Sequence, residues 1–315
     1  MNIYRNINEL TKDKNTILTV GTFDGVHLGH QKIINEMIYQ SAEHSCRNFV
    51  ITFEPHPQFV LSEDNSIKLL TTLEEKIEYL KYLGVQNVLI INFTREFSQI
   101  NFKTFVEEYL VDKIGLHTIV VGTDHHFGKN REGNPEVLTE LGKYFDFNVV
   151  KVEPLILDGQ KISSTRIRKA LLTGNVNFAN EMLGKKYSLK GKVIKGDKRG
   201  MQIGYPTANI EVENKDKLIP ARGVYFVEVD LIYKNFYGMM NIGFRPTFNN
   251  ASELIPEVHI FYFDRTIYGE PITIRFIEKL RDEKKFNSID ELKNQLQIDK
   301  QECFKRIDAI HSLKQ

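Results

Sequence analysis

The first half of the chain alternates apolar runs with amphipathic stretches, and this alternation is the feature that most limits its fold. Five runs rich in Val, Ile, Leu and Phe lie at 16–22, 48–53, 86–93, 117–123 and 147–154. The segments between them carry apolar side chains at i, i+3 and i+4 spacing, as amphipathic helices do. Strands that are apolar on both faces and separated by helices are typical of a parallel sheet covered on both sides. This half therefore predicts a doubly wound α/β domain.

The second half has a different pattern. The segment "SSTRIRKALLTGNVNFANEMLG" (163–184) predicts two short helices ended by Gly174 and Gly184. Beyond it, strand-like runs at 187–196, 223–233, 235–243, 257–263 and 272–280 follow one another without helices between them, and residues 288–312 form a capped amphipathic pattern. Such runs indicate an antiparallel barrel or sandwich with a C-terminal helix. We place the domain boundary near residue 185, giving domains 1–185 and 186–315.

Size, charge and cysteine content narrow the function classes. A chain of 315 residues is long enough for two domains, each with its own core. Lys and Arg number 42 against 41 Asp and Glu, so no broad basic field is present to hold a nucleic acid. Cys46 and Cys303 fit no disulfide or metal spacing, and the polar N-terminus resembles no signal peptide. We expect a cytoplasmic enzyme of small molecules, without nucleic-acid or membrane partners, and we leave the oligomeric state open.

The segment "TVGTFDGVHLGH" (19–30) lies where the first predicted strand ends and the following helix begins. In open α/β sheets, ligands bind at such carboxyl ends of strands. Glycines let a phosphate approach the backbone, and the helix N-terminus and histidines offer donors to it. The residues expected at this phosphate site are Gly21, Phe23, Asp24, Gly25, His27, Gly29 and His30. Two alternatives are a zinc site built on the histidines and a purely structural turn.

Two further segments of the first half fit a phosphate site. In "ISSTRIR" (162–168) a serine can cap a helix whose first turn presents arginines, which suit phosphate oxygens; the alternative is a capped surface helix with solvated arginines. "GTDHHFGKNREG" (122–133) follows another strand end. The residues proposed for nucleotide binding are Ser163, Ser164, Thr165, Arg166, Arg168, Asp124 and Arg131. His125 and His126 are interpreted as loop histidines.

The second half contains its own candidate site. "GDKRGMQIGYPTANI" (196–210) places Gly196, Gly200 and Gly204 in a lid-like loop before Thr207 and Asn209. Side chains two residues apart on a strand face the same side, and their oxygens can hold Mg²⁺ together with ATP phosphates. The alternative is a simple turn that enters a strand.

"PEVHIFYFD" (256–264) supplies a carboxylate to this second site. Glu257 can accept the proton of an attacking hydroxyl as a general base, and His259 lies on the same face of the predicted strand. The alternative for Glu257 is an exposed acid with no more than a cross-strand contact.

Taken in order, these motifs resemble those of the bacterial bifunctional riboflavin kinase/FMN adenylyltransferases, also called FAD synthetases. The matching stretches are "GTFDGVHLGHQ", "TFEPHP", "GTDHHFGKNREG", "ISSTRIRKAL", "GYPTANI", "NIGFRPTF", "EVHIFYFD" and "KLRDEKKFNS". The resemblance implies a Rossmann-like nucleotidyltransferase domain followed by an antiparallel β-barrel riboflavin kinase domain with a C-terminal helix. It covers nearly the whole chain.

The resemblance also implies activities and residue roles. Riboflavin would be phosphorylated by ATP to FMN, and FMN would then be adenylylated by a second ATP to FAD with release of pyrophosphate. His27, Gly29 and His30 would handle ATP phosphates, Thr207 and Asn209 would hold Mg²⁺ with ATP, Glu257 would be the base, and Arg281 would lie on the flavin side. The alternative function is a single-step nucleotidyltransferase whose barrel is a non-catalytic binding module.

Overall fold

The apolar runs of the first half form one parallel sheet, as predicted. The structure is a computed structural model that describes residues 1–62, 67–124, 128, 132–196, 199–245 and 253–312. Within these residues the sheet has the strand order β1-β4-β3-β2-β5-β6. Its strands are β1 (Asn2–Tyr4), β2 (Thr16–Val20), β3 (Arg47–Glu54), β4 (Asn87–Asn92), β5 (Leu116–Gly122) and β6 (Asn148–Val152). The chain order reverses between β2 and β5, so the crevice for a ligand opens at their carboxyl ends.

Helices cover both faces of this sheet. They are α1 (Leu28–Glu43), α2 (Pro57–Leu61), α3 (Leu73–Tyr82), α4 (Arg95–Ser98), α5 (Phe102–Thr104), which continues as a π-helix over Phe105–Ile114, and α6 (Pro135–Phe145). Leu18 and Leu89 belong to a buried cluster with the π-helix, whereas their neighbours Ile17 and Val88 belong to a second cluster with α1 and α3. Alternate strand residues therefore enter two cores, which confirms the doubly wound α/β prediction.

Two strand features of this unit, the edge strand β1 and a short hairpin, do not appear in the sequence interpretation. β1 pairs in parallel with β4 although two of its three residues are exposed, because an edge strand needs main-chain partners on one side only. β7 (Ile156–Leu157) and β8 (Gln160–Lys161) form a short hairpin. Its turn residues Asp158 and Gly159 both have positive φ, at 50° and 69°. An Asp-Gly pair is a common signal for such a hairpin, so the sequence did contain a cue.

The chain divides into two units by its internal contacts, Met1–Ser164 and Thr165–Gln315. Helices α7 (Ser164–Leu172) and α8 (Val176–Leu183) match the two predicted short helices. Gly174 and Gly184 follow them with φ of 80° and 68°, a conformation that glycine adopts without strain. The functional boundary near residue 185 stays a prediction.

The strands of the second unit close into an antiparallel barrel, which settles the choice between barrel and sandwich. Its order in the described residues is β10-β13-β12-β11-β14-β9, and β9 pairs with β10 to complete the circle. The elements are β9 (Ser188–Ile194), α9 (Arg199–Gln202), β10 (Ala208–Val212), β11 (Gly223–Leu231), β12 (Lys234–Arg245), β13 (Glu253–Ile260), β14 (Pro271–Arg281) and α10 (Ile289–Ser312).

The predicted C-terminal helix packs on the outside of this barrel. Cys303 of α10 belongs to a buried cluster with Val224, Phe226, Met239 and Phe261. Their sequence neighbours, such as Tyr225 and Met240, are fully buried as well and point to the opposite face, the barrel interior. No helix in the described part of the chain is both long and apolar enough to cross a membrane.

Candidate active sites

The turn after β2 has an unusual backbone. Phe23, Gly25 and Val26 have φ of 49°, 86° and 41°, values that L-residues other than glycine adopt at a cost of about 1–3 kcal/mol each. Phe23 is buried, and a Cβ at Gly21 would lie 3.1 Å from its ring. Such outliers cluster where a structure has to hold a backbone for function. The tight turn brings the start of α1 directly to the end of β2.

The two histidines of the turn form one stacked unit. Their ring centroids are 3.6 Å apart with planes 16° from parallel. His27 is the N-cap of α1, and its Nδ1 accepts a hydrogen bond from the backbone N–H of His30 at 3.3 Å. A Cβ at Gly29 would lie 3.2 Å from the His27 ring, so a small residue between the histidines leaves room for the ring. The H-x-G-H spacing therefore places two imidazoles together at the N-terminus of a 16-residue helix.

Asp24 braces this turn. Its carboxylate accepts hydrogen bonds from the backbone N–H groups of Leu70 and Thr71, at 3.0 and 2.9 Å, and from the Thr71 hydroxyl at 3.2 Å. The same hydroxyl accepts the N–H of Gly25 at 3.0 Å. Ser164 donates to the carbonyl of Asp24 at 2.9 Å. Since Asp24 is only 2% exposed, these contacts give its carboxylate a structural task, and a direct contact with nucleotide stays a prediction.

The buried Lys76 is linked to the turn after β2 through the Thr52 hydroxyl. The sequence interpretation did not include this residue. The ammonium of Lys76 donates to the Thr52 hydroxyl at 3.2 Å, and that hydroxyl donates to the carbonyl of Thr22 at 3.2 Å. Burial lowers the pKa of Lys76, and the negative charges of Asp24 and Glu54 oppose that shift. A lysine on the buried face of amphipathic α3 was the signal that could have revealed it.

The remaining residues predicted for the first site fall in four groups. Asp124, after β5, forms an ion pair with Lys161. Ser163 and Ser164 are half-buried, and α7 begins at Ser164. Thr165, Arg166 and Arg168 belong to the second unit, where the Arg166 guanidinium lies 5.3 Å from the ring centroid of Phe178. Arg131, with His125, His126 and Phe127, lies outside the described residues. The nucleotide contacts of all these residues stay predictions.

In the barrel, the predicted kinase residues meet through strand register. Asn209 of β10 lies directly opposite Glu257 of β13. Directly opposed residues of an antiparallel pair point to the same face, with Cβ atoms about 5 Å apart. Asn209 is buried, at 5% exposure, and Glu257 is half-buried. The two motifs, far apart in the chain, therefore place an amide and a carboxylate next to each other on the outer face of the barrel.

The glycines of the 196–204 loop fit closely around this site. A Cβ at Gly196 would overlap the side-chain amide of Asn209, and one at Gly200 would overlap the carbonyl of Tyr205 and lie 3.5 Å from the Thr207 hydroxyl. Gly204 has open space around it but a φ of 84°. A small cavity is lined by Gly196, Met201, Pro206, Thr207, Asn209 and Tyr268. The loop is thus shaped to the P-T-A-N segment.

One atom of the cavity lining stands out. The side-chain oxygen Oδ1 of Asn209 is buried and has no hydrogen-bond partner among the residues that the structure describes. Buried polar atoms are almost always paired, so an orphan of this kind calls for a bound group. An amide oxygen beside the Thr207 hydroxyl is the type of donor that Mg²⁺ accepts.

His259 has a supporting place beside these residues. Its Nδ1 lies 2.8 Å from the carbonyl oxygen of Pro206, the residue before Thr207, and this contact requires Nδ1 to carry the proton. Burial lowers the pKa of His259, which favours the neutral ring, while the Pro206 contact acts in the opposite direction. The sequence analysis placed His259 on the face of Glu257 but gave it no task.

Arg281 lies on the same outer face and is held by α10. Its Nε and Nη2 donate to the carboxylate of Asp299 at 3.0 and 2.7 Å, and its Nη1 donates to the carbonyl of Asp282 at 3.0 Å. Asp299 is 3% exposed and also accepts from Gln295 at 2.9 Å. Arg281 therefore fastens α10 to β14, and a flavin contact stays a prediction.

The described residues were also compared with the His, Cys, Asp and Glu clusters that typically bind metal ions. No group of three or more His, Cys, Asp and Glu side chains there is arranged to hold a metal ion. Cys46 and Cys303 are free thiols in the two cores, and burial raises the pKa of Cys303 to about 12. The described residues thus offer no zinc-type ligand set around His27 and His30.

Comparison with known families gives two adjacent matches. Residues 9–166 match the family model for FAD synthetase, and residues 183–307 match the model for riboflavin kinase. The two models cover the segments in which the turn after β2 and the barrel site lie.

Curated relatives match over nearly their whole length. The bifunctional riboflavin kinase/FMN adenylyltransferase of Listeria monocytogenes is 42% identical, with 92% of each chain covered. The protein of that name from Bacillus subtilis is 38% identical at the same coverage, and that from Escherichia coli K12 is 34% identical over 95% of this chain and 96% of its own. A crystal structure described as a macrolide-efflux protein from Streptococcus pneumoniae is 32% identical, with a TM-score of 0.87 over 95% of this chain and 97% of that one.

Proposed function

The chain belongs to the bifunctional riboflavin kinase/FMN adenylyltransferase family, and we propose that the two activities are divided between the barrel site and the turn site. The enzyme phosphorylates riboflavin to FMN with ATP and transfers the adenylyl group of a second ATP to FMN, which gives FAD and pyrophosphate. In our proposal the barrel carries the first step and the parallel-sheet unit carries the second.

In the kinase step, Glu257 accepts the proton of the riboflavin 5′-hydroxyl. The hydroxyl oxygen forms a bond to the γ-phosphorus of ATP while the bond from that phosphorus to the β-phosphate oxygen breaks, so the products are FMN and ADP. Phosphoryl transfer depends mainly on positioning and charge neutralisation. The placement of Asn209 opposite Glu257 supports this assignment, because it sets a phosphate-side group next to the base.

Thr207 and Asn209 are the residues that we assign to Mg²⁺. The buried, unpartnered Oδ1 of Asn209 and its neighbour Thr207 in the cavity lining fit a hard cation that takes oxygen ligands. When bound, Mg²⁺ neutralises charge on the ATP phosphates. The glycines at 196 and 200 allow the loop to approach these two side chains closely.

In the adenylyl transfer step, the FMN phosphate attacks the α-phosphorus of ATP and pyrophosphate leaves. The attacking phosphate is already ionised, so this site needs donors and no general base. His27 and His30 stand as a stacked pair at the N-terminus of α1, where the helix dipole also favours negative charge. The nucleotide-binding residues that we propose for this step are Gly21, Gly25 and Gly29 of the turn, together with Asp124, Arg131, Ser163, Ser164, Thr165, Arg166 and Arg168.

Three further parts belong to the same proposal. The functional boundary lies near residue 185, since the riboflavin kinase model begins at residue 183. The enzyme works in the cytoplasm, where buried free cysteines such as Cys46 and Cys303 stay reduced. Its ligands are riboflavin, FMN, ATP and Mg²⁺.

The single observation that carries the two-site proposal is the register that joins Asn209 to Glu257 in a unit separate from the histidine turn. The test is to incubate the full chain with riboflavin, ATP and Mg²⁺ and to separate the flavins by chromatography. We expect FMN and FAD. Formation of FAD from added FMN only, with no phosphorylation of riboflavin, would instead support a single-step nucleotidyltransferase with a binding barrel.

A further inference from the structure

One row of residues crosses the outer face of the barrel through Glu257. Asn209 and Asn241 lie directly opposite Glu257 on its two neighbouring strands, β10 and β12. The row continues from Asn241 to Val224 of β11, and from Val224 to Arg281 of β14. Neighbouring strands are about 4.8 Å apart. Asn209 and Asn241 therefore flank the proposed base at similar distances on opposite sides.

On the β12 side of this row, two polar side chains lie close together. A Cβ at Gly243 would lie 2.7 Å from the carboxylate of Glu283 and 3.1 Å from the side-chain nitrogen of Asn241, so these two side chains converge over a glycine. Glu283 also lies 3.4 Å from Arg222. Asn241 is exposed, and within the described ranges its amide has no hydrogen-bond partner. Both a donor and an acceptor are therefore presented next to Glu257.

The in-line geometry of phosphoryl transfer indicates which substrate binds on the β12 side of Glu257. The attacking oxygen and the leaving oxygen lie on opposite sides of the transferred phosphorus. If ATP is held on the Asn209 side, as the proposed function states, the flavin has to extend from Glu257 toward β12. In riboflavin the part adjacent to the 5′-hydroxyl is the rest of the ribityl chain, which carries three more hydroxyls. Hydroxyls donate and accept hydrogen bonds, and Asn241 with Glu283 offers both complements.

We propose that Asn241, with Glu283 beside it, binds the hydroxyls of the ribityl chain and thereby selects flavins that carry a hydroxylated chain. This inference rests on the proposed kinase function of the barrel. Asn241 acts on the substrate and not on ATP, because Glu257 separates it from Asn209. The selectivity arises because an amide built to pair with hydroxyls is left without partners when a chain lacking them is bound.

The experiment measures the kinase step of the full chain with two substrates, riboflavin and a flavin whose N10 chain is 5-hydroxypentyl. The second substrate keeps the reacting hydroxyl and lacks the other three. Asn241→Ala is expected to lower kcat/KM for riboflavin by about tenfold, mainly through the KM for riboflavin, with the KM for ATP unchanged. The same variant is expected to use the hydroxypentyl flavin as well as the wild-type chain does, which also shows that its barrel is folded.

A matched control and a conservative variant complete the design. Asn235 is exposed and lies on the same strand and the same face, six residues away, and Asn235→Ala should behave as wild type. Asn241→Ser should recover part of the selectivity. An equal loss on both flavins, a rise in the KM for ATP, or no loss would overturn the inference. A wild-type chain that phosphorylates neither flavin would instead contradict the proposed function itself.

Discussion

The two units position their candidate phosphate-handling groups in different ways. In the parallel-sheet unit, His27 and His30 come from one short segment, and a turn with three positive φ values sets their geometry. In the barrel, Asn209, Glu257 and Asn241 come from three separate strands, and only the pairing register aligns them. The first site is local in sequence, and the second exists only once the sheet has closed.

Glycine serves both sites but for different reasons. Gly29 leaves room for the His27 ring that stacks on His30, whereas Gly196 leaves room for the side chain of Asn209, which lies on a different strand. A substitution in the turn should therefore affect only the turn. Damage to the barrel site, in contrast, can come from any element that holds the strands in register.

The largest expected effect comes from Glu257→Gln, which removes the proposed base while keeping the shape of the side chain. We expect FMN formation from riboflavin to fall by about 10²–10⁴-fold, the usual contribution of a general base. FAD formation from supplied FMN should be unchanged, because that step uses the other unit. Chromatography of both flavins measures the two rates in one sample.

The control for this prediction is Glu211→Gln, which changes an exposed carboxylate on β10 and should leave both rates unchanged. Equal losses of both activities in Glu257→Gln would show that the two steps do not use separate sites.

His30→Ala is the reciprocal change in the turn. Removal of one donor aimed at developing charge typically lowers a rate by about 10²–10³-fold, and we expect that loss in FAD formation with riboflavin phosphorylation intact. His44→Ala serves as the matched control, since His44 is the C-cap at the other end of α1 and is exposed. A His30→Ala enzyme that makes FAD at the wild-type rate would remove the role that we give the histidine pair.

The local turn site could be predicted from the sequence more fully than the barrel site, which depends on strand register. Apolar periodicity predicted the doubly wound sheet and left the second half open between a barrel and a sandwich. The turn site could be found in the sequence because Gly29, His27 and His30 are neighbours. The sequence alone could not show that the Asp24 carboxylate accepts hydrogen bonds from residues 70 and 71, or that Arg281 pairs with Asp299. Both contacts join segments that are distant in the chain. Register has no signature in a single strand, so the place of Asn241 beside Glu257 emerged only from the sheet. Lys76 was readable from its position on an apolar helix face.

Asp299→Ala tests whether the barrel site depends on an element outside it. The Asp299 carboxylate is 4% exposed and its Arg281 partner 20% exposed, so the variant leaves a largely buried guanidinium unpaired. We expect a loss of about 3 kcal/mol in the free energy of unfolding of the barrel, measured by urea titration. Arg275→Ala, which breaks the more exposed pair with Asp230, should cost less than about 1 kcal/mol. Equal costs would show that α10 is not fastened through this pair.

The smallest expected effect is a pH dependence of the barrel through His259. Burial lowers the pKa of this ring below its unfolded value, so the unfolded chain binds more protons as the pH falls. The contribution of His259 to stability is therefore complete above the unfolded pKa of about 6.5 and is lost as the pH falls toward the folded pKa. We expect a loss on the order of 1 kcal/mol in urea titrations between pH 7.5 and 5.5.

In His259→Asn the side-chain amide can still donate to the carbonyl of Pro206 but does not titrate, so the slope of stability against pH should be shallower than in wild type. Because the two proteins differ only at this position, the difference between the two slopes isolates His259. Identical slopes would mean that the fold does not hold this ring neutral, and would contradict the lowered pKa of His259.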